Sequence, residues 1–281
     1  MNNKNLKKLV HSLHSILPEG LFKGMYQIVF PLYKDMIRFH YGLKGKLYYP
    51  FTDPNRRLAV KKIYSIMPYT LVGIGGLEAT YKIARQLNRD NVEGDFFELG
   101  VARGGCAALI GKTIFDTDEP ICPPRNLWLF DSFEGLPDPT KDDYDIAKGE
   151  GTGDHVHVLS KGSCLGTFEE VKKLMLDTMG FPADKVIFVK GWFQDTIPLY
   201  RDRIQKIALL RVDGDWYEST KCCLEGLYDK VVAGGVVIID DYASCFGSRK
   251  AVDEFRAEHK ITAPLCPDGR GGVWFEKYGA P

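Results

Sequence analysis

Two apolar runs rich in β-branched residues each end in a pair of aspartates, and this constrains the chain more than any other feature. Ile207-Ala-Leu-Leu-Arg-Val212 leads into Asp213-Gly-Asp215, and Val236-Val-Ile-Ile239 leads into Asp240-Asp241. Short apolar runs without alternation read as strands buried on both faces, the pattern of a parallel sheet covered by helices. In open sheets of that kind, ligands bind beyond the carboxyl ends of the strands. Four carboxylates brought together there repel one another. A hard divalent cation such as Mg²⁺, which takes oxygen ligands from one or two carboxylates plus water or substrate, is the simplest means of holding them. A single aspartate ending a strand also serves as a cap or turn residue. It is the repetition on two strands that predicts metal-assisted chemistry.

The remaining pattern supplies the rest of the sheet. Strands are expected at Phe96–Val101, Asn126–Phe133, Lys185–Trp192, Lys206–Gly214, Gly234–Asp241, Ile261–Leu265 and Gly272–Glu276. Helices are expected near Gly104–Phe115, Thr167–Met179, Glu218–Val231 and Gly247–His259, preceded by two at Arg57–Met67 and Gly76–Leu87. The helix at 167 opens with Thr167-Phe-Glu-Glu170, a capping box in which hydroxyl and carboxylate satisfy free backbone N–H groups. This alternation predicts an α/β fold, a doubly wound and mostly parallel sheet with helices on both faces. Glu134–Gly166, rich in Gly, Asp and Lys with weak periodicity, is too long for an idle connection and reads as a lid.

The first 55 residues read as a separate helical arm ahead of a main domain over residues 56–281. Leu6, Leu9, Val10, Leu13, Ile16 and Leu17 fall at helical spacing, and an aromatic-rich helix is expected over Gly24–Tyr41. Residues 1–50 carry eight Lys and Arg against Glu19 and Asp35, a balance of +6 in a chain whose formal charge is zero. Two readings of the arm stand side by side: packing on the main domain or a second subunit of a homo-oligomer, or a basic amphipathic contact with a membrane surface. Overall neutrality argues against nucleic acid as a partner. The longest apolar run in this region, Ile28-Val-Phe-Pro-Leu-Tyr33, is far shorter than the roughly 20 residues a span requires, and no signal-peptide pattern is present. Seven cysteines without a CxxC pair or zinc-like spacing read as reduced thiols of a cytoplasmic protein.

Other motifs gather at the predicted strand ends. Phe96-Phe-Glu98-Leu-Gly100-Val-Ala-Arg-Gly104-Gly105 reads as strand, glycine turn and helix start, with room for a ligand against the backbone and free N–H donors. The spacing is not GxGxxG, so a nicotinamide fingerprint is absent. Glu98 suits a cationic amino group, although the same turn would serve a plain βα connection. Gly105-Cys-Ala-Ala-Leu-Ile-Gly111-Lys112-Thr113 has the wrong spacing for a phosphate-binding loop. Trp128-Leu-Phe-Asp131-Ser132-Phe133 ends a strand with an acid, where ribose hydroxyls or a cap are the two readings. His155-Val-His157 reads as a pair of solvated loop histidines.

Taken together, these segments resemble the macrocin O-methyltransferase (TylF/MycF) family of class I S-adenosylmethionine-dependent enzymes, over roughly residues 50–281. The resemblance rests on Glu98-Leu-Gly-Val-Ala-Arg-Gly-Gly105, Phe130-Asp-Ser-Phe-Glu-Gly-Leu-Pro137, Val189-Lys-Gly-Trp-Phe-Gln-Asp-Thr-Ile-Pro198, Leu210-Arg-Val-Asp-Gly-Asp-Trp-Tyr-Glu-Ser-Thr220 and Ile239-Asp-Asp-Tyr242. It implies a Rossmann-like, seven-stranded class I methyltransferase fold and Mg²⁺-dependent methylation of a hydroxyl on a small molecule, a sugar in a glycoside or natural product. By the family pattern, Asp213, Asp240 and Asp241 bind the metal and Asp215 is the general base. Glu98, Gly100, Gly104 and Gly105 hold the methionine moiety of S-adenosylmethionine, and Asp131 holds the ribose. Ser132, Phe133, Gly191, Trp192 and Phe193 surround the adenine, and Thr70 closes over the cofactor. Ala102 departs from the family, which commonly has Trp there. The alternatives are an S-adenosylmethionine-binding protein without turnover, tethered by its basic arm, or an oxygenase on the same scaffold.

Overall fold

The computed structural model describes residues 32, 35–47, 54–119, 123–152, 159 and 161–279. The expected helix at 4–17, the start of the helix at 24–41 and the histidines 155 and 157 lie outside the described residues. The chain divides into two compact units, Met1–Pro68 and Tyr69–Pro281.

In the first unit, α1 covers residues 35–47 and α2 covers Pro54–Ile66. Tyr41 of α1 meets Tyr64 of α2 with ring centroids 5.0 Å apart.

The second unit is an α/β sandwich on a seven-stranded sheet. Its strands are β1 (Asp95–Leu99), β2 (Leu127–Asp131), β3 (Val186–Lys190), β4 (Ile207–Val212), β5 (Val231–Ile239), β6 (Cys266–Pro267) and β7 (Val273–Glu276). Their order is β3-β2-β1-β4-β5-β7-β6. The first five are parallel, whereas β7 runs antiparallel to β5 and β6 to β7. The helices are α3 (Ile74–Arg89), α4 (Gly105–Phe115), α5 (Phe168–Lys173), α6 (Phe193–Tyr200), α7 (Tyr217–Leu227) and α8 (Phe246–Glu258). The expected mostly parallel, doubly wound sheet is therefore present. Every residue of β4 is buried, as continuous apolar runs in a helix-covered sheet require. Phe97 and Trp128 on neighbouring strands stack at 5.3 Å, extending the core beneath α6.

One expectation is corrected, and one helix is added. Ile261–Leu265 is not a strand. Ala263 is buried there in a bend, and the short pairing segment is Cys266–Pro267, set by the register Cys266↔Trp274 and Pro267↔Val273 of the terminal hairpin. The segment after Trp192 is helical, as α6.

The loop 134–166 is anchored along its described part. Gly162 donates to the Leu136 carbonyl at 2.9 Å, and the Trp216 indole donates to the Pro137 carbonyl at 3.1 Å. Buried Asp143 accepts from the Thr140 and Tyr217 amides at 2.6 and 2.7 Å. Lys250 and Arg249 of α8 hold Asp142 and Glu150 at 2.5 and 2.7 Å.

Candidate active site

The order of the strands reverses between β1 and β4, where an open α/β sheet forms its crevice. Backbone hydrogen bonds tie the five strand ends into one row. Gly191 N–H donates to Asp131 C=O at 2.9 Å, Gly100 to Phe130 at 2.9 Å, Asp213 to Leu99 at 2.8 Å and Asp240 to Val212 at 3.0 Å. The motifs that lie far apart in sequence therefore share one edge of the sheet.

The glycine turn after β1 is built by close approach. Gly100 has φ +90°, and a Cβ there would lie 1.9 Å from the Asp213 carbonyl oxygen. The turn thus lies directly against the first aspartate pair. Gly104, at φ +82°, precedes α4, and a Cβ on Gly105 would lie 2.6 Å from the Thr70 Cβ. Thr70 therefore covers the turn. Substituting Gly100 by Ala combines this clash with left-handed strain of about 1–3 kcal/mol. The expected result is a lower melting temperature and weakened S-adenosylmethionine binding, read by thermal unfolding and calorimetry. An unchanged melting temperature would mean that the β1 and β4 ends separate readily.

Three non-glycine residues at these strand ends also adopt positive φ: Ala102 at 44°, Phe133 at 58° and Asp215 at 54°. Such conformations persist where surrounding structure enforces them and cluster at functional sites. Asp131 is the enforcing group for the first two. One of its oxygens accepts from the Val101 and Ala102 amides at 2.7 and 2.9 Å, and the other from the Phe133 amide at 2.6 Å. A carboxylate offers about four acceptor sites, so three are spent on the turns and about one is left for a ligand. The Ser132 hydroxyl is likewise engaged, accepting from the Glu134 amide at 3.1 Å and donating to the Gly135 carbonyl at 3.3 Å. The Phe133 ring meets Phe168 edge-on at 5.3 Å. Gly191 and Trp192 form the turn into α6, while Phe193 packs against the hydrophobic core.

Asp213, Asp240 and Asp241 each present a carboxylate oxygen within 4.8 Å of the others. Asp215, Asp241 and Cys245 form a second such group, with the Cys245 thiol 3.9 Å from Asp215 Oδ1. Burial pushes the Asp215 and Asp241 carboxyls well above the usual carboxylate range, and neighbouring carboxylates push them further. Burial and then Asp213 raise Asp240, while Arg211 and Arg270 oppose them. Three converging carboxylates, in which burial and repulsion disfavour the charge of Asp240 and Asp241, match what a hard divalent cation requires.

Two arginines had no role in the sequence reading. Arg211, fully buried at the end of β4, donates to Glu98 Oε1 at 2.9 Å and to Asp213 Oδ2 at 2.7 Å, and also pairs with Asp240. Arg270 donates to the other oxygen of Asp240 at 2.5 Å. Its turn is fixed by buried Asp268, which accepts from the amides of Arg270, Gly271 and Gly272 at 2.7, 3.0 and 2.9 Å. Glu98, Asp213, Asp215, Asp240 and Asp241 thus share two guanidiniums. Burial pushes Glu98 up to about 8 even with Arg211 beside it. Its second oxygen is buried without a partner, beside the glycine turn. A charge inside an apolar strand is the sequence signal that could have found Arg211, because a buried arginine has to be paired.

Comparisons with known proteins agree with this geometry. The family model described as Macrocin-O-methyltransferase (TylF) matches residues 40–277. Demethyldecarbamoylnovobiocin O-methyltransferase of Streptomyces niveus is 37% identical over 210 residues, 74% of this chain and 76% of that protein. The 8-demethyl-8-(2,3-dimethoxy-alpha-L-rhamnosyl)-tetracenomycin-C 4'-O-methyltransferase of Streptomyces olivaceus is 34% identical, over 73% of this chain and 75% of its own length. The solved structure of the O-methyltransferase NovP superimposes with a TM-score of 0.64 at 34% identity, covering 75% of this chain and 83% of that one. With the sheet order, the strand-end motifs and these matches in agreement, the chain belongs to the macrocin O-methyltransferase (TylF) family and is an S-adenosylmethionine-dependent O-methyltransferase.

Proposed function

We propose that this chain methylates a sugar hydroxyl of a glycosylated natural product, with Mg²⁺ held by Asp213, Asp240 and Asp241 and with Asp215 as general base. The observation that carries the reading is the convergence of those three carboxylates within 4.8 Å, directly against the glycine turn. The acceptor class follows the relatives, one of which acts, by its name, on a tetracenomycin bearing a dimethoxyrhamnosyl group.

In this reading S-adenosylmethionine would supply an activated sulfonium methyl, and a divalent cation held by Asp213, Asp240 and Asp241 would make the acceptor hydroxyl more acidic. The chain does the positioning. Glu98, with one unpaired buried oxygen, receives the cofactor's amino group, and the Gly100, Gly104 and Gly105 backbone lets the methionine moiety approach. Thr70 closes the turn from above. The remaining acceptor site of Asp131 meets the ribose, and Ser132, Phe133, Gly191, Trp192 and Phe193 enclose the adenine. Asp215 receives the hydroxyl proton, a role typically contributing roughly 10²–10⁴-fold. Alignment of acceptor and methyl supplies much of the remaining acceleration.

Methyl transfer to a panel of glycosides and their aglycones, with Mg²⁺ and after treatment with EDTA, tests the proposal. Activity is expected on glycosides, lost in chelator and restored by Mg²⁺. Full activity in chelator ends the metal assignment, and turnover confined to aglycones ends the sugar assignment.

A further inference from the structure

Four of the ten large hydrophobic side chains exposed on the described residues belong to one helix, α1, and a fifth, Leu32, lies just ahead of it in sequence. Leu32, one turn ahead of α1, and Met36, Phe39, Leu43 and Leu47 within it are 67%, 52%, 73%, 47% and 59% exposed. The four within α1 are spaced i, i+3, i+7, i+11, so at about 100° per residue they share a face about 80° wide. The opposite face is the packed one. Tyr41 lies half a turn round from the stripe, and its ring meets Tyr64 of α2. Helix α1 therefore turns its aromatic side to α2 and presents a continuous apolar ridge outward. Contiguous exposed apolar surface of this kind marks an interaction site.

Charge decides what the ridge fits. His40 and Lys46 border it on its two sides, and Lys44 lies one step beyond His40 on the helical wheel. Between residues 32 and 66 the chain carries eight Lys and Arg against Asp35 and Asp53. Asp35 is already paired with Arg38 at 3.1 Å. Between α1 and α2 runs an open groove of about 520 Å³, lined by Arg38, Lys46 and Lys61 together with Tyr41 and Tyr64. An apolar ridge with a cationic border matches an anionic bilayer surface, where apolar side chains enter the headgroup–acyl boundary and Lys and Arg reach the phosphates. A second copy of the same ridge fits less well, because each copy brings the same cationic border to the contact.

We propose that this face of α1 seats on an anionic phospholipid surface and holds the enzyme there peripherally. No helix among the described residues is long and apolar enough to cross a membrane. The proposal does not depend on the acceptor or the metal.

Co-sedimentation of the full chain with phosphatidylcholine vesicles, with and without phosphatidylglycerol, tests it. Binding is expected only to the anionic vesicles and is expected to weaken with salt. A Met36→Glu/Phe39→Glu pair is expected to lower the partition coefficient at least tenfold. The pair Lys44→Glu/Lys46→Glu, the first half-buried over the Tyr41 ring and the second exposed, leaves the ridge intact and is expected to lower it about tenfold or more. Both are expected to bind S-adenosylmethionine like the parent chain and to keep its oligomeric state. Failure of the full chain to sediment with anionic vesicles overturns the proposal. So does a Met36→Glu/Phe39→Glu variant that changes oligomeric state while its vesicle binding is unchanged, since a second copy would then be the occupant.

Discussion

Replacing Arg211 with Met is expected to lower the melting temperature by roughly 6–20 °C, the largest stability effect of any single change at the strand ends. The figure comes from the 3–5 kcal/mol typical of removing one partner of a buried ion pair, at roughly 2–4 °C per kcal/mol for a domain of this size. Methionine fills similar volume, so the loss is electrostatic. Glu98, Asp213 and Asp240 each accept from Arg211 and lose a cation in low dielectric together. The sign of the pH dependence follows. Glu98 already sits above its unfolded value, at about 8 from 4.5, and removing Arg211 raises it further. A carboxyl raised by folding contributes stability that is fully present below its unfolded pKa and is lost as pH rises toward its folded one. The Glu98 part of the deficit of Arg211→Met relative to the parent is therefore expected to be absent well below the parent's folded pKa, where both proteins fold with Glu98 protonated, and to open as pH rises through about 8. Thermal melts of both proteins across that range check it, and a deficit independent of pH would assign the loss to packing instead.

How much of this was legible in the sequence depended on whether a signal was local. The runs Ile207–Val212 and Val236–Ile239 are apolar enough to announce buried strands, and both formed. The same apolar majority masked Arg211, whose charge counts for little in a periodicity count and for much in a dry interior. Ile261–Leu265 misled because apolar content was read as a strand, whereas Pro264 interrupts it and the pairing partner of β7 is chosen by the hairpin register. Helix α6 carried no expectation from the sequence; it forms with Pro198 inside it, and the Thr196 amide bonds back to Trp192 at 3.0 Å. The backbone contacts of Asp131 were beyond sequence reasoning for a different cause. Which groups surround a carboxylate at a strand end depends on how two turns, about thirty residues apart, fold against each other.

Asp215→Asn is expected to lower kcat by about 10²–10⁴-fold while leaving S-adenosylmethionine affinity unchanged. Asparagine is the informative replacement because of the backbone. Asp215 sits at φ +54°, a conformation that Asn tolerates and most side chains resist. Asp215→Asn therefore removes the base and keeps the turn, whereas Asp215→Ala adds strain to the same loss. In the protein alone, burial and the carboxyls of Asp213 and Asp240 keep the Asp215 proton on. A base has to release it. A cation held by Asp213 and Asp240 would remove that repulsion, so the proposed metal ligands and the proposed base would act as one unit. The double substitution Asp213→Asn/Asp215→Asn is then expected to cost much less than the product of the single effects, as for residues that work together. Measuring kcat for the two single variants and the double variant at saturating Mg²⁺ decides the matter. If Asp215→Asn keeps activity within about tenfold of the parent, Asp215 is not the base. If the single effects multiply, base and metal trio act independently and the coupling argued from their shared burial is wrong.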